Sequence, residues 1–327
     1  MDFTLTDEQE LLAATARSLF DGECGSEFVR AAMEQPKAAA PLWDDHLAEW
    51  VELAAGDVVD LAIFMQEHGR AVAPGAFFPS VLATQFLASE GRTLEGTGTV
   101  AIAGADGVWL PNQQTTKQFV VGADLVDSVV VVDGTPAAPT VSLIAAPELG
   151  AREIEQMDAL RRVFEVDVAE VRPGFAIDPD GVQLAIERSL VIVSAELIGV
   201  GRWLLDASVA YAKERVQFDR PIGSFQGLQW MLVDMALDLE RAAAAVSYAA
   251  MCVDAGDPDR HRAVHGAKAE AGLAARHCAK TGLQVHGGIG YTYEHDLHLR
   301  LRRAYAGDAF MAPSAYHLDR LAALLLD

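Results

Sequence analysis

Two short stretches in the C-terminal half carry the residue types best suited to chemistry. The first is Gln284-Val285-His286-Gly287-Gly288-Ile289-Gly290-Tyr291. Adjacent glycines, with a third two positions on, let backbone N–H groups approach an anion such as phosphate, because no Cβ stands in the way. Gln284 adds an amide that both donates and accepts. A helix–helix corner that needs glycine only for positive φ is the alternative this spacing leaves open. The second stretch is Glu214-Arg215-Val216-Gln217-Phe218-Asp219-Arg220-Pro221-Ile222-Gly223-Ser224-Phe225-Gln226. Arginine binds diphosphate oxygens in pairs through its planar donors. Phe218 can pack on a flat ring. A helix C-terminus with basic residues complementing the dipole is the alternative here.

Other chemistry is missing. There is no GxxxxGK[ST], no GxGxxG after a strand and no GxSxG. His295 and His298 can share a helix face, but without carboxylate partners they read as a solvated polar face rather than metal ligands. The three cysteines, Cys24, Cys252 and Cys278, are far apart and form no CxxC pair, which points to a reduced, cytoplasmic protein. A formal charge of −22 excludes nucleic acid and anionic membrane as natural partners. It also gives no long-range attraction for a CoA ester, so any such site must rely on local arginine and backbone N–H groups. The first ten residues hold neither a basic start nor an apolar run, which predicts no export signal. The longest apolar stretch, residues 189–205, contains Glu196 and Arg202 and reads as a bundle helix, not a membrane span.

These stretches need a scaffold. Residues 1–96 read as helical: Thr6 with Gln9 forms a capping signature, and helical pieces follow over 43–54, 58–70 and 79–89. Residues 97–177 read as a small β domain, with runs at 99–103, 117–121, 125–132, 140–145 and 164–168 separated by signals such as Asp133-Gly134. Residues 178–327 read as long helices over 182–214, 225–254 and 261–283, then shorter ones over 294–306 and 313–326. Long helices with short connections make a four-helix bundle. The fold class is therefore α+β in three parts.

Together the two stretches resemble the acyl-CoA dehydrogenase family. Its RxxFxxPIxxxQ pattern matches Arg215, Phe218, Pro221, Ile222 and Gln226. Its QxxGGxGY pattern matches Gln284, Gly287, Gly288, Gly290 and Tyr291. Glu294-His295 and Arg302-Arg303-Ala304-Tyr305 continue the likeness, and the order of helices, β domain and bundle agrees over the whole chain. The resemblance implies an FAD flavoprotein that introduces an α,β double bond into an acyl-CoA thioester. It implies that Arg215, Phe218, Gln284, Gly287 and Gly288, with Gln217 and Gln226 as weaker candidates, bind the adenosine diphosphate half of FAD for a neighbouring subunit's active site. Asp219 departs from the family's usual glycine and places a negative charge nearby, so its geometry must point it away.

The catalytic parts depart further. Ungapped counting from Gln284 places Met311 where the family has a glutamate base, and counting back from Arg215 places Ser189 at the other usual position. Glu187 lies two residues from Ser189, a turn of about 200° round a helix. Asp308 is about one turn from Met311. Glu187, Glu196 and Asp308 read as solvated or capping acids. The β domain lacks the family's TEPxxGSD-like segment, which holds the flavin ring; residues 101–110 run instead Ala-Ile-Ala-Gly-Ala-Asp-Gly-Val-Trp-Leu. No catalytic residue is therefore assigned. The pattern resembles the smaller, base-lacking subunit of actinobacterial α2β2 sterol side-chain acyl-CoA dehydrogenases. It implies a homologous partner carrying the glutamate, an acyl-CoA substrate and an electron-transfer acceptor. Two alternatives stay open: a self-sufficient homo-oligomer with Glu187 or Asp308 as a displaced base, and a non-catalytic scaffold without FAD.

Overall fold

In the computed structural model, residues 3–172 and 174–326 are described. The chain starts with α1 (Asp7–Glu23), set by a reciprocal capping box: Thr6 Oγ1 accepts from Gln9 N and Gln9 Oε1 accepts from Thr6 N, both at 3.2 Å. After α2 (Ser26–Glu34) the expected helix over 43–54 is broken into short pieces. These are α3 (Ala40–Leu42), a π turn at Trp43–Leu47 and a 3₁₀ segment at Glu49–Ala55. Then come α4 (Val58–Ala71) and α5 (Phe77–Ala88), the latter buried along almost its whole length.

Two small sheets follow. One has the order β1 (Gly98–Ala101), β3 (Ser128–Thr135), β4 (Ala138–Ala145), β7 (Phe175–Ala176). The other has the order β2 (Thr116–Val121), β6 (Val163–Asp167), β5 (Ala151–Ile154). Among the described residues only the β1–β3 pairing is parallel. Strand alternation splits the core: Val130 and Val132 join the helices, while Val129 and Val131 meet Val120, Phe164 and Val166 of the second sheet. The separator is not Asp133-Gly134, which pairs within β3–β4; the chain turns at Pro136 and Ala137, between the paired Thr135 and Ala138. Strand β5 gave no sequence signal because three of its four residues, Ala151, Arg152 and Glu153, are exposed on an edge.

The helix α6 (Pro179–Glu214) is the axis of the molecule. Asp178 caps it and Pro179 opens it. Residues 189–201 are all buried. It packs against α7 (Gln226–Asp254), α8 (Arg260–His286) and α9 (Leu297–Ala309), and α10 (Ser314–Leu326) lies on α8. On its other side it meets α4 through two glycines. A Cβ on Gly199 would lie 1.8 Å from the Gln66 carbonyl oxygen, and one on Gly69 would lie 2.1 Å from that of Glu196. The helices can approach this closely only without side chains there. Among the described residues no helix is long and apolar enough to cross a membrane.

Candidate cofactor site

The two motif stretches meet at one end of the bundle. Helix α6 ends at Glu214, and Arg215 N–H donates to Tyr211 O at 2.8 Å. The next residues form a tight hairpin, β8 (Val216–Gln217) with β9 (Arg220–Pro221). Its two turn residues, Phe218 and Asp219, both have left-handed φ, 53° and 60°. A two-residue hairpin turn of type I′ has positive φ at both positions, which explains why the family's glycine fits here; aspartate tolerates that conformation better than most residues. Phe218 is 86% exposed, with its ring edge on Phe225. Arg215, Gln217 and Gln226 are exposed too. Gln217 spends its amide on its neighbour Val216 O at 2.8 Å.

Helix α8 reaches the same end. Gly287, at φ 59°, terminates it, and a 3₁₀ turn spans Gly287–Tyr291. The His286 ring stacks on Tyr211 with centroids 4.7 Å apart, which ties the glycine stretch to the end of α6. The Gly282 carbonyl accepts from His286 Nδ1 at 2.7 Å, so Nε2 is left as a buried acceptor without a partner. Burial pushes the His286 imidazole below its ordinary pKa, against the opposing pull of the Gly282 carbonyl. Gly287 and Gly288 face open space: a Cβ on either would meet nothing within 4 Å. Gly290 differs, since a Cβ there would sit 3.0 Å from Leu297 Cδ2 and 3.1 Å from His286 Cβ. Gln284 is exposed beside them. Arg215 enters no ion pair among the described residues, so its fork is available to an anion. Free glycine backbone, an unpaired arginine and an exposed aromatic ring fit an adenosine diphosphate group.

One positioning residue lies outside both motifs. Arg30, on α2, donates to Tyr293 O at 2.7 Å and Glu294 O at 3.1 Å, and pairs with Asp296 at 2.6 Å. Ser26 adds a bond to Asp296 at 2.8 Å. An N-terminal helix thus anchors the chain just beyond the glycine stretch. No sequence signal links residues so far apart. His295 and His298 are not a solvated face. His295 precedes α9 and accepts from Leu297 N–H at 3.1 Å. His298 is buried, stacked on Tyr293 with centroids 4.5 Å apart, and neither ring nitrogen has a partner.

Met311, which ungapped counting sets at the family's base position, is buried with φ 59°. Of the three acids expected to be solvated or capping, none is solvated: Glu187, Glu196 and Asp308 are all buried and ion-paired. Glu187 accepts from Arg260 Nε at 2.9 Å and Gln183 Nε2 at 2.9 Å, and touches His261. Asp308 does cap, from inside: its Oδ1 accepts from Ser314 N–H at 3.3 Å, and Oδ2 pairs with Arg276 at 3.1 Å. Glu196 lies at the centre of a buried network. Arg161, from the loop before β6, donates to its Oε2 at 2.7 Å; Arg303, on α9, donates to Oε1 at 3.0 Å; and His68, on α4, lies 3.2 Å from Oε1. Asp158 pairs with Arg303 on the far side. Burial alone would raise the Glu196 carboxyl, but the two arginines and its hydrogen bonds hold it well below the ordinary glutamate range. A carboxylate so held is a poor proton acceptor. Among the described residues no three His, Cys, Asp or Glu side chains group to hold a metal ion.

The loop over 102–115 is the stretch without a TEPxxGSD-like segment. It is pinned by the buried Lys117 ammonium, which donates to Asn112 O at 2.6 Å and Asn112 Oδ1 at 2.9 Å. Its Trp109 packs edge-on against Phe310 at 5.6 Å and tilted against Phe86 at 5.9 Å.

Comparison with known proteins places this geometry. The family described as "Acyl-CoA dehydrogenase, C-terminal domain" matches residues 181–326. The acyl-CoA dehydrogenase IpdE2 of Mycolicibacterium smegmatis is 30% identical, over 98% of this chain and 99% of its own length. Among solved structures, the Tcur3481-Tcur3483 steroid ACAD G363A variant superposes with a TM-score of 0.84 at 23% identity, covering 99% of each chain. The ChsE4-ChsE5 complex from Mycobacterium tuberculosis superposes with a TM-score of 0.83 at 23% identity, covering 100% of this chain and 99% of the other. At that identity the structural likeness speaks for the fold.

Proposed function

The chain belongs to the acyl-CoA dehydrogenase family, and from that premise we propose that it is the base-lacking, FAD-binding subunit of a heteromeric acyl-CoA dehydrogenase. The observation that carries the reading is the pairing of an open, unpaired cradle at 215–218 and 284–288 with Met311 in place of a base. FAD, when bound, supplies the acceptor for the hydride leaving the β carbon of the thioester. In this chain, Arg215 would pair with the diphosphate, the backbone N–H groups of Gly287 and Gly288 would approach it, and Phe218 would cover the adenine. Gln284 would add an amide bond, with Gln217 and Gln226 at the margin. Glu187, Asp308 and Glu196 hold the fold together and move no proton.

The partner is a homologous subunit that supplies the carboxylate, in an α2β2 assembly, and an external electron acceptor reoxidises the flavin. The likeness to the ChsE4-ChsE5 complex and to the Tcur3481-Tcur3483 steroid ACAD supports this. A sterol side-chain CoA thioester is the substrate class in this reading, and the three buried thiols suit a reducing cytoplasm. We also read three units in the chain, 1–96, 97–177 and 178–327. The self-sufficient alternative loses ground because both displaced-base candidates are already ion-paired.

The test is co-expression with a homologous subunit that carries the glutamate. Flavin absorbance should appear in the complex and be absent or weak in this chain alone. Gly288→Val should abolish flavin retention without loss of stability, since its Cβ enters open space. Full activity from the chain alone, or unchanged flavin content in Gly288→Val, overturns the reading.

A further inference from the structure

Beside the lost base lies a cavity that the proposed half-site does not use. It sits between the β domain and α9, with a volume of about 340 Å³. Ligand pockets run from roughly 300 to 1,000 Å³, so this one suits a compact organic molecule. Its walls are Phe119, Ile154, Met157, Val163, Ala306 and Met311. The thioethers of Met157 and Met311 adapt to an irregular apolar shape, and Ala306 on α9 leaves room.

The polar groups around it select the ligand. Asp106 and Glu155 lie at the lining and repel an anion. Arg161 lines it as well, but its guanidinium is committed to Glu196 and lies 3.6 Å from the Phe78 ring centroid. The Gln156 amide is also committed: its oxygen accepts from Asp158 N–H at 3.1 Å and its nitrogen donates to the Asp158 and Arg161 carbonyls. Tyr305 is the lining group whose hydroxyl makes no hydrogen bond among the described residues.

The walls are held in shape at a conformational cost. Phe119 has φ 58°, at a bulge in the pairing of β2 with β6. Met311 and Ala312 have φ 59° and 75°. Such backbone persists for non-glycine residues only where the surroundings over-determine it. Here the buried Lys268 ammonium donates to Asp308 O at 2.8 Å and Ala312 O at 3.3 Å, and His317 Nε2 donates to Met311 O at 3.0 Å. Both strained sites line one cavity, and no base remains in it to explain them.

We propose that this cavity is a non-catalytic binding pocket for a neutral, hydrocarbon-rich molecule with one polar oxygen, its walls provided by Phe119, Met157, Ala306 and Met311 and its hydrogen bond by Tyr305. The pocket lies wholly within this chain, so it does not depend on the FAD reading. The test uses the full chain and Nile red as a neutral fluorescent probe. The probe should bind saturably, and decalone should displace it. Decanoate, with the same carbon count and a negative charge, should displace it at least about tenfold less well. Ala306→Trp should lower decalone affinity about tenfold by filling the cavity. Met157→Trp, at an exposed position where folding is not at risk, should do the same by narrowing the mouth. Tyr305→Phe should weaken decalone severalfold and leave the parent hydrocarbon decalin unchanged. Equal affinity in wild type and Met157→Trp, equal displacement by decanoate, or no saturable binding overturns the proposal. Flavin content of the co-expressed complex should be unchanged in both Trp variants, which keeps this test separate from that of the half-site.

Discussion

Replacing Glu196 by glutamine probes the junction of all three parts of the chain. The side chain is fully buried, and its carboxylate receives Arg161 from the β domain, Arg303 from α9 and the His68 ring from α4. With Asp158 included, two carboxylates balance two guanidiniums. Glutamine keeps the shape and removes one charge, so one buried cation is left uncompensated. Breaking a buried pair from one side costs about 3–5 kcal/mol, a large part of the roughly 5–15 kcal/mol that stabilises a folded protein. With a urea dependence of roughly 3 kcal/mol/M, the midpoint should fall by about 1–1.7 M. Glu196→Gln/Arg303→Met removes the orphaned cation and should recover part of the loss. Acid titration adds a second reading. The folded-state carboxyl lies below its unfolded value, so its contribution is complete above about pH 4.3 and is lost as pH falls from there through the folded-state pKa. Wild type should therefore lose stability below about pH 4.3 by a component that Glu196→Gln lacks. A midpoint shift under about 0.3 M, or parallel acid profiles of the two proteins, would refute the reasoning.

Four further outcomes follow from the same structure. Gly199→Ala should destabilise by about 3 kcal/mol or more, because its Cβ would meet the Gln66 carbonyl at 1.8 Å; a change in thermal stability under about 0.5 kcal/mol contradicts the α4–α6 contact. Burial pushes the Lys268 ammonium down to about 8, with Asp308 opposing, so the unfolded chain binds more protons between about pH 8 and 10 and stability should rise with pH there. Lys268→Met should lack that rise, and identical urea-midpoint profiles across that range would count against it. Arg30→Ala should loosen the 293–296 segment and weaken FAD retention severalfold in the assembled complex, while hydrogen exchange speeds up at those residues; unchanged exchange and unchanged flavin content dismiss the clamp. Arg215→Ala should lower FAD affinity by about 1.5–3 kcal/mol, the worth of a charge-assisted bond, with no shift in melting temperature of the flavin-free chain; unchanged affinity in a flavin titration removes Arg215 from the site.

Much of the fold was legible in the sequence because its signals are local. The Thr6–Gln9 box, the Pro179 start of α6 and the uninterrupted apolar run inside it each act within a few residues. The acyl-CoA dehydrogenase architecture followed from those elements and from two motifs, and Met311 was visible as a plain residue type at the position that ungapped counting gives to the family's base. Three kinds of fact were not legible. The hairpin at 216–221 hides its left-handed turn, because Phe218 and Asp219 are not glycines. The burial of Glu187, Glu196 and Asp308 depends on arginines tens of residues away, as in Arg161 with Glu196 and Arg260 with Glu187, and charge alone reads as exposure. The Arg30 clamp joins opposite ends of the chain.

The sequence by itself determined which groups are present: the arginine, the glutamine, the paired glycines and the methionine at 311. Only the tertiary structure decided which of them are free to act. It stacked His286 on Tyr211 and so brought two distant stretches to one end of the bundle, with Arg215 unpaired and Gly288 open. It also closed every nearby acid into an ion pair, because a buried charge must find a partner on folding. Composition lists the charges; packing alone chooses their partners.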